Sequence, residues 1–412
     1  MAASLCHSLQ PHTIMQQALV IISFVCFLIY AALILYYWAG WLTIPVFIPQ
    51  ASGFKPDTRI SIIIPARNEE HQIGPCLRSI INQSYPKELV EIIVVDDYST
   101  DTTAAVVMAL NQSNIKLIAL KDFVSNEMNS YKKKAIEVGI AQSSGELIIT
   151  TDADCLVPGN WLQTIAAFYQ EKKPALIVMP VSILPSPLGE GLGMRSFIEI
   201  FQAVDFMTLQ GITGAAVNKK LHSMCNGANL AYTKHAFTAV NGFAGINNIA
   251  SGDDMLLMHK IYTQFPNDIA YLKSKEVIVQ TAPVKTIGEF FNQRIRWASK
   301  ADKYDDKRIL PVLIAVYFFN VLLLVLPLIA LLENGQHSIF NIQFTLIEVW
   351  LWLLFIKIIT ELIFLFPVAK FFGKQKLLWL FPFLQPFHIL YTIIAGWLGK
   401  FGSYQWKGRK VK

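Results

Sequence analysis

Residues 18–38, ALVIISFVCFLIYAALILYYW, carry no charge and are long enough to cross the roughly 30 Å hydrocarbon core of a bilayer as one helix. Nothing else in the chain limits the fold as strongly, because in lipid each backbone polar group must find its partner inside its own segment. A cleaved signal peptide is the competing reading. Lys and Arg are missing ahead of the run, the run exceeds a usual signal core, and no small-residue cleavage site closes it. The stretch therefore reads as a retained anchor.

Three more apolar segments crowd the far end, at residues 309–332, about 340–368 and about 377–398. Hydrophobic residues make up 53% of the 412-residue chain and charged ones 16%, outside the usual balance of a soluble protein. The middle segment holds Glu348, Lys357 and Glu361; the last two lie four apart on one helical face, where they can pair. The last contains Pro382, Gln385, Pro386 and His388, which predict a kinked, re-entrant or interfacial segment instead of a clean span. Five cysteines without a CxxC match neither a disulfide framework nor a zinc site, and fit a reducing compartment. The net charge of +6 falls partly in KFFGKQK and WKGRKVK, basic clusters expected to face anionic membrane lipids and not nucleic acid. Four parts follow: an anchor (1–50), a globular domain (51–307), a membrane or interfacial region (308–400) and a basic tail (401–412).

Between residues 51 and 307 short β-branched runs alternate with helical stretches near 74–83, 102–112 and 132–142, the pattern of a parallel α/β sheet. Three of the runs end in polar clusters: Arg67, Asn68 and Glu69; Asp96 and Asp97; Asp152 and Asp154. Each alone is explained by a turn. Together they predict a crevice at the carboxyl ends of the strands, where the strand order reverses.

No P-loop or GxGxxG is present, so a phosphate here needs another counter-charge. Asp152 and Asp154, one residue apart past a strand, offer the hard oxygens that Mg²⁺ or Mn²⁺ prefers, and such an ion can bridge to a diphosphate. Asp97 can accept from a base N–H or a ribose hydroxyl, and Lys132, opening a helix, can meet an anion. Asp253 and Asp254 begin an amphipathic helix; one suffices as a cap, and the second is free for general-base work. Thr286 and Glu289 have capping-box spacing, and on the helix they open, Gln293, Arg296 and Trp297 share one face. An amide, a guanidinium and an indole so placed can bind a diphosphate and stack on a sugar; an interfacial helix with Trp at headgroup level is the other reading.

In order, PARNEE, VVDDYSTDTT, YKKKAIEVGI, TTDADC, NGANLAYTKHAF, GDD and QRIRW resemble the membrane-bound family 2 glycosyltransferases with a GT-A fold, over about residues 58–300. QRIRW matches the QxxRW signature. The resemblance implies that Ala66, Arg67 and Glu69 line a nucleotide pocket and that Asp97 binds a uridine-like base. It implies that Lys132 approaches the nucleotide and that Asp152 and Asp154 hold the diphosphate through Mg²⁺ or Mn²⁺. Asp254 would be the general base, with Asp253 the alternative; Gln293, Arg296 and Trp297 would bind diphosphate and acceptor, and Asn226 and Asn229 would lie near the sugar. Ser251-Gly252-Asp253-Asp254 stands where many members have Thr-Glu-Asp, and Glu137 stands where many have Asn.

The implied reaction is inverting transfer from a UDP-sugar to a hydroxyl acceptor, a lipid in preference to a glycan because one helix plus three is few for threading a polymer. A processive polysaccharide synthase is the rival and an inactive membrane scaffold the remote one. The donor and the charge rule place the globular domain in the cytoplasm at the cell (inner) membrane, with the basic tail beside the site.

Overall fold

The computed structural model describes residues 11–49, 54–124, 130–184, 194–249, 252–300, 305–332, 337–339, 342–402, 404–406 and 409–411. Ser251, most of the acidic ENGQH loop and parts of the basic tail (407, 408 and 412) lie outside them. The chain begins with α1 (Pro11–Leu42), then β1 (Ile60–Ala66), α2 (Ile73–Ile81), β2 (Val90–Asp96), α3 (Thr103–Ala109), β3 (Ile115–Ala119), α4 (Tyr131–Ala141) and β4 (Leu147–Thr150). After α5 (Trp161–Lys172), β5 (Leu176–Val178) and β6 (Val181–Ile183) comes a long α6 (Met194–Asn218), then β7 (Leu230–Thr233) and α7 (Lys234–Ala239). The rest comprises α8 (Met255–Gln264), β8 (Ile269–Tyr271), β9 (Val279–Thr281), α9 (Ile287–Ala298), α10 (Ile309–Leu332), α11 (Leu346–Phe372) and α12 (Phe381–Phe401), with short hairpin strands beside α10 and after α12.

Seven strands form one sheet in the order β3-β2-β1-β4-β7-β5-β8. Ile62, Ile63, Ile64, Ile92, Ile93, Val94 and Val95 are wholly buried, because helices cover both faces of the sheet. On one face Ile62 and Ile64 pack with Cys76, Leu77 and Trp161. On the other, Ile63 and Val95 pack with Ala135 and Ile136 in a core that runs on into the apolar helices. The expectation of a parallel sheet needs one correction: β7 runs antiparallel to both β4 and β5, so the sheet is mixed. A buried apolar run identifies a strand but does not encode its direction. The helices expected near 74–83, 102–112 and 132–142 are α2, α3 and α4.

Among the described residues, four helical stretches are long and apolar enough to cross a membrane, at Gln17–Leu42, Ile309–Leu332, Leu346–Phe372 and Gln375–Phe401. The third starts later than the apolar run suggested. Thr345 and Glu348 close a capping box at its first turn, which places Glu348 at the helix end instead of at bilayer depth. Lys357 and Glu361 do pair, at 2.8 Å, and Gln385 of α12 binds both, accepting from Lys357 at 2.6 Å and donating to Glu361 at 2.8 Å. Tyr30 of α1 donates its hydroxyl to the same Glu361. A buried charge pair needs such extra partners to offset its desolvation.

α6, a helix the apolar periodicity of the chain did not single out, couples the sheet to these segments. A side chain at Gly211 would put its Cβ 2.7 Å from Val368 of α11, and one at Gly214 would reach within 2.9 Å of Trp41 of α1, so glycine is what allows the close approach. α12 is continuous through Pro386 and runs alongside α9: the Phe387 and Phe290 rings pack 5.8 Å apart, tilted by 38°, at one end, and Gly399 meets Ala298 at the other. Just before α12, Lys374 donates to the carbonyl of Ile183 in the globular domain. Just after it, strand Tyr404–Trp406 lies against α9. Both ends of α12 therefore sit beside the globular domain.

Candidate active site

The ends of β1 and β2 are stitched together by main-chain and side-chain bonds. Arg67 donates to the carbonyls of Asp97 and Tyr98 at 2.7 and 3.1 Å, and its Nη1 lies 3.9 Å from the Asp97 carboxylate. The backbone N–H of Asp97 donates to Ala66 at 2.8 Å, and that of Glu69 to Thr103 Oγ1 at 2.8 Å. Asn68 holds a left-handed backbone (φ 52°) and accepts from the Thr100 N–H at 2.8 Å, a role Asn fills better than most residues. Asp97 is left almost fully buried just past β2, beside the end of β1, the strand from which the order reverses toward β4.

From α4, Lys132 crosses to the end of β4 and contacts Asp152 at 2.7 Å and Asp253 at 3.2 Å. Burial pulls its ammonium down, but the carboxylates of Asp152 and Asp253 outweigh that, and its pKa is raised. For Asp253 burial acts upward, and the charges of Lys132 and Lys300 more than offset it, so its carboxyl is held below its ordinary value. Lys300, absent from the sequence-based site, lies half-buried beside this group, and desolvation depresses its ammonium. Asp254 is oriented by backbone: Oδ1 accepts from Met255 at 2.7 Å at the head of α8, and Oδ2 from Gly227 at 3.1 Å. Gly227 packs closely here: a Cβ would stand 3.1 Å from Asp253 Oδ2 and would press on that carboxylate.

Asp154 accepts from the Thr281 hydroxyl at 3.5 Å. Its neighbour Cys155 is buried and, like Cys76, has its thiol pushed up by burial, to about 12 for Cys76; neither is a ready nucleophile. Among the described residues no group of three His, Cys, Asp or Glu converges on one point. The Asp152–Asp154 pair therefore suits a hard divalent ion that takes its remaining ligands from phosphate and water, and not a closed protein cage.

On α9 the capping box of Thr286 and Glu289 forms as expected. Gln293, Arg296 and Trp297 all line the same cavity as Ala66, Arg67, Glu69, Asp97, Lys132 and the four aspartates, and Asn226 lines it too. Asn229 does not. It is fully buried, accepts from Trp161 Nε1 at 3.0 Å and donates to the carbonyls of Pro180 and Val277 at 2.8 and 2.7 Å. Its amide ties loops to the sheet, outside the cavity that the other candidate residues share. A run such as NGANLAY does not reveal which amide faces inward.

The sequence also gave no sign of what holds α9 in place. Arg294, inside QRIRW, forms a buried pair with Asp205 of α6 at 2.6 Å, and Tyr391 of α12 donates to the other oxygen of Asp205 at 2.6 Å. The same guanidinium stacks 4.2 Å from the Trp297 ring and donates to Gln293 at 2.8 Å. One residue of the signature thus orients two others.

The cavity encloses about 1240 Å³, more than the ~300–1,000 Å³ typical of a single small-molecule site. Its second arm runs between α1, α6, α10, α11 and α12, walled by residues such as Ile34, Ile212, Leu313, Phe364 and Leu384. Glu361, Gln385 and Tyr30 lie in its wall where their network ties α1, α11 and α12 together.

Residues 61–215 match the glycosyl transferase family 2 domain, and residues 147–398, more than half of the chain, match glycosyl transferase family group 2. The protein belongs to that group and is a family 2 glycosyltransferase. It is 26% identical over 243 residues to the poly-β-1,6-N-acetyl-D-glucosamine synthase of Staphylococcus epidermidis (58% of this chain, 53% of the relative). It is 30% identical over 114 residues to the β-monoglucosyldiacylglycerol synthase of a Nostoc species (28% of this chain, 24% of the relative). The chain spans between 23% and 53% of the length of such curated relatives. Among solved structures, the mannosyltransferase PcManGT of Pyrobaculum calidifontis, in complex with GDP-Man and Mn²⁺, covers 93% of this chain and 98% of its own at 19% identity and a TM-score of 0.54, a likeness of fold.

Proposed function

We propose that this protein transfers a sugar, with inversion, from a UDP-type sugar nucleotide to the hydroxyl of a membrane lipid. The observation that carries the reading is the continuity of one cavity, from a pocket of aspartates and lysines at the strand ends to an arm walled by apolar side chains. Asp97 and Arg67 hold the nucleoside end, and Lys132, Gln293 and Arg296 face the diphosphate. Asp152 and Asp154 would hold a divalent ion, which would supply positive charge against that diphosphate. Asp254 takes the proton of the acceptor hydroxyl as its oxygen bonds to the anomeric carbon and the bond from that carbon to the diphosphate breaks, the leaving nucleotide keeping the electron pair. Arg296 faces the charge that grows there. Asp253 serves this step by fixing Lys132, 3.2 Å away.

The catalytic domain faces the cytoplasm, at the inner membrane of the cell. α12 enters and leaves on that same face, which keeps the tail beside the site. A processive synthase would need a path through the bundle, yet the cavity takes lining from α10 only between Ile309 and Phe318 and from α1 only between Tyr30 and Tyr37. The test is incubation of membranes with radiolabelled UDP-sugars and Mn²⁺. Label in an organic-extractable lipid is the expected result; label in a polymer overturns the acceptor, and no label from any donor overturns the enzyme.

A further inference from the structure

The apolar arm is not covered equally on all sides. Along one seam, between the first half of α10 and the end of α12, residues that line the cavity keep a large share of their surface uncovered. Leu313 and Ile314 are 36% and 58% exposed, Trp397 and Phe401 60% and 67%, and all four line the cavity. Elsewhere the arm is closed by packing: Phe364 and Leu365 of α11 and Phe201 and Val204 of α6 line it and are buried. In the seam the Tyr317 ring lies against the bare Cα of Gly396, where a Cβ would fall 2.7 Å from the ring edge. Exposed apolar side chains at the mouth of an apolar cavity, on helices suited to lipid, have only acyl chains as their natural surroundings.

We infer that the seam between α10 and α12 is a lateral doorway through which the acyl chains of the acceptor lipid pass from the bilayer into the apolar arm, with Tyr317 standing in the opening. This rests on the lipid-acceptor reading and adds the route and the chemical form: a hydroxyl-headed lipid with acyl chains, admitted sideways from the leaflet nearest the catalytic domain. The geometry matches that path. The arm leads from the doorway toward Asp254, and the polar group of Tyr30, Glu361, Lys357 and Gln385 ties α1, α11 and α12 together along it. A chain lying in the arm leaves its hydroxyl head at the carboxylate end, where the sugar is delivered.

The experiment uses the full-length protein in vesicles of phosphatidylglycerol and phosphatidylethanolamine, with a diacylglycerol bearing a diazirine at the end of one acyl chain. No donor is added, so labelling does not depend on turnover. The expected result is label concentrated on the α10 and α12 residues of the seam, competed by excess dioleoylglycerol, and reduced about tenfold in Leu313→Trp, which fills the doorway from its exposed side. UDP binding by that variant reports that it is folded. Label spread equally over outward positions such as Trp352 and Phe366, with no competition, overturns the doorway whether or not transfer to lipid occurs. Competed label at the seam together with no sugar incorporation sustains the doorway and overturns the transfer reading.

Discussion

The two halves of the cavity are built by opposite means. At the strand ends the polar side chains are held point by point: Arg67 by the Asp97 and Tyr98 carbonyls, Asp254 by the N–H groups of Met255 and Gly227, and Lys132 by the carboxylates of Asp152 and Asp253. Around the apolar arm five helices from three separate stretches of the chain supply mostly apolar walls, and among the described residues the fixed polar chemistry there includes Arg294–Asp205–Tyr391, Tyr30–Glu361–Lys357–Gln385 and the Tyr37–His222 bond. The difference matches the ligands proposed for each half. A diphosphate and a divalent ion need charge at fixed points, whereas an acyl chain needs only apolar volume.

The sharpest way to break this contrast is Asp254→Asn. Turnover should fall by ~10²–10⁴, the usual range for a general base, while UDP affinity stays within a few-fold; full activity would move the base to another residue. Next in size is Arg294→Met, which leaves Asp205 buried beside Tyr391 alone and should cost ~3–5 kcal/mol of stability, read as a lowered thermal midpoint. Combining it with Asp205→Leu should restore the midpoint but not the transfer rate, because Trp297 has lost the cation stacked 4.2 Å from its ring. Recovery of both would reduce the pair to structural glue.

Asp154→Ala should remove the metal dependence of UDP binding and weaken it by more than the ~10–100-fold that outer-shell groups are worth, measured by titration with and without Mn²⁺. Unchanged Mn²⁺ dependence would place the ion elsewhere. The smallest effect is expected at Glu91, far from the site. Burial there acts upward, but bonds from Ser61, Ser144 and Lys116 outweigh it and hold its carboxyl at about 2, against an ordinary 4.5. A depressed carboxyl stabilises the fold above pH 4.5 and loses that contribution as pH falls toward about 2. Glu91→Gln should therefore lower the thermal midpoint at pH 7, by ~2 kcal/mol of stability, and flatten its fall below pH 4.5.

How much was legible in the chain follows the same division. The three strand-end clusters, the two aspartates before α8 and the face of Gln293, Arg296 and Trp297 were all readable, because phosphate and metal chemistry requires particular residue types at particular offsets. Asn229 misled for a related reason: an amide in a motif looks the same whether it faces a ligand or ties up two buried carbonyls. Lys300, Asp205 and Tyr391 were silent, since each acquires its role from a partner distant in sequence. Glu348 shows the converse, a charge inside an apolar run that a Thr three residues earlier turns into a helix cap.

The amino-acid sequence by itself determined that the chain is anchored in membrane, that an α/β domain follows, and which acidic and basic residues that domain presents at its strand ends. These are local properties, set by runs, periods and caps within a dozen residues. Only the tertiary structure decided the antiparallel course of β7, the return of α12 to the face of the globular domain, and the joining of the charged pocket to an apolar arm. Those depend on the packing of α1, α6, α9, α10, α11 and α12 against one another, and apolar packing is satisfied by volume and shape, which leave no signature in the order of the residues.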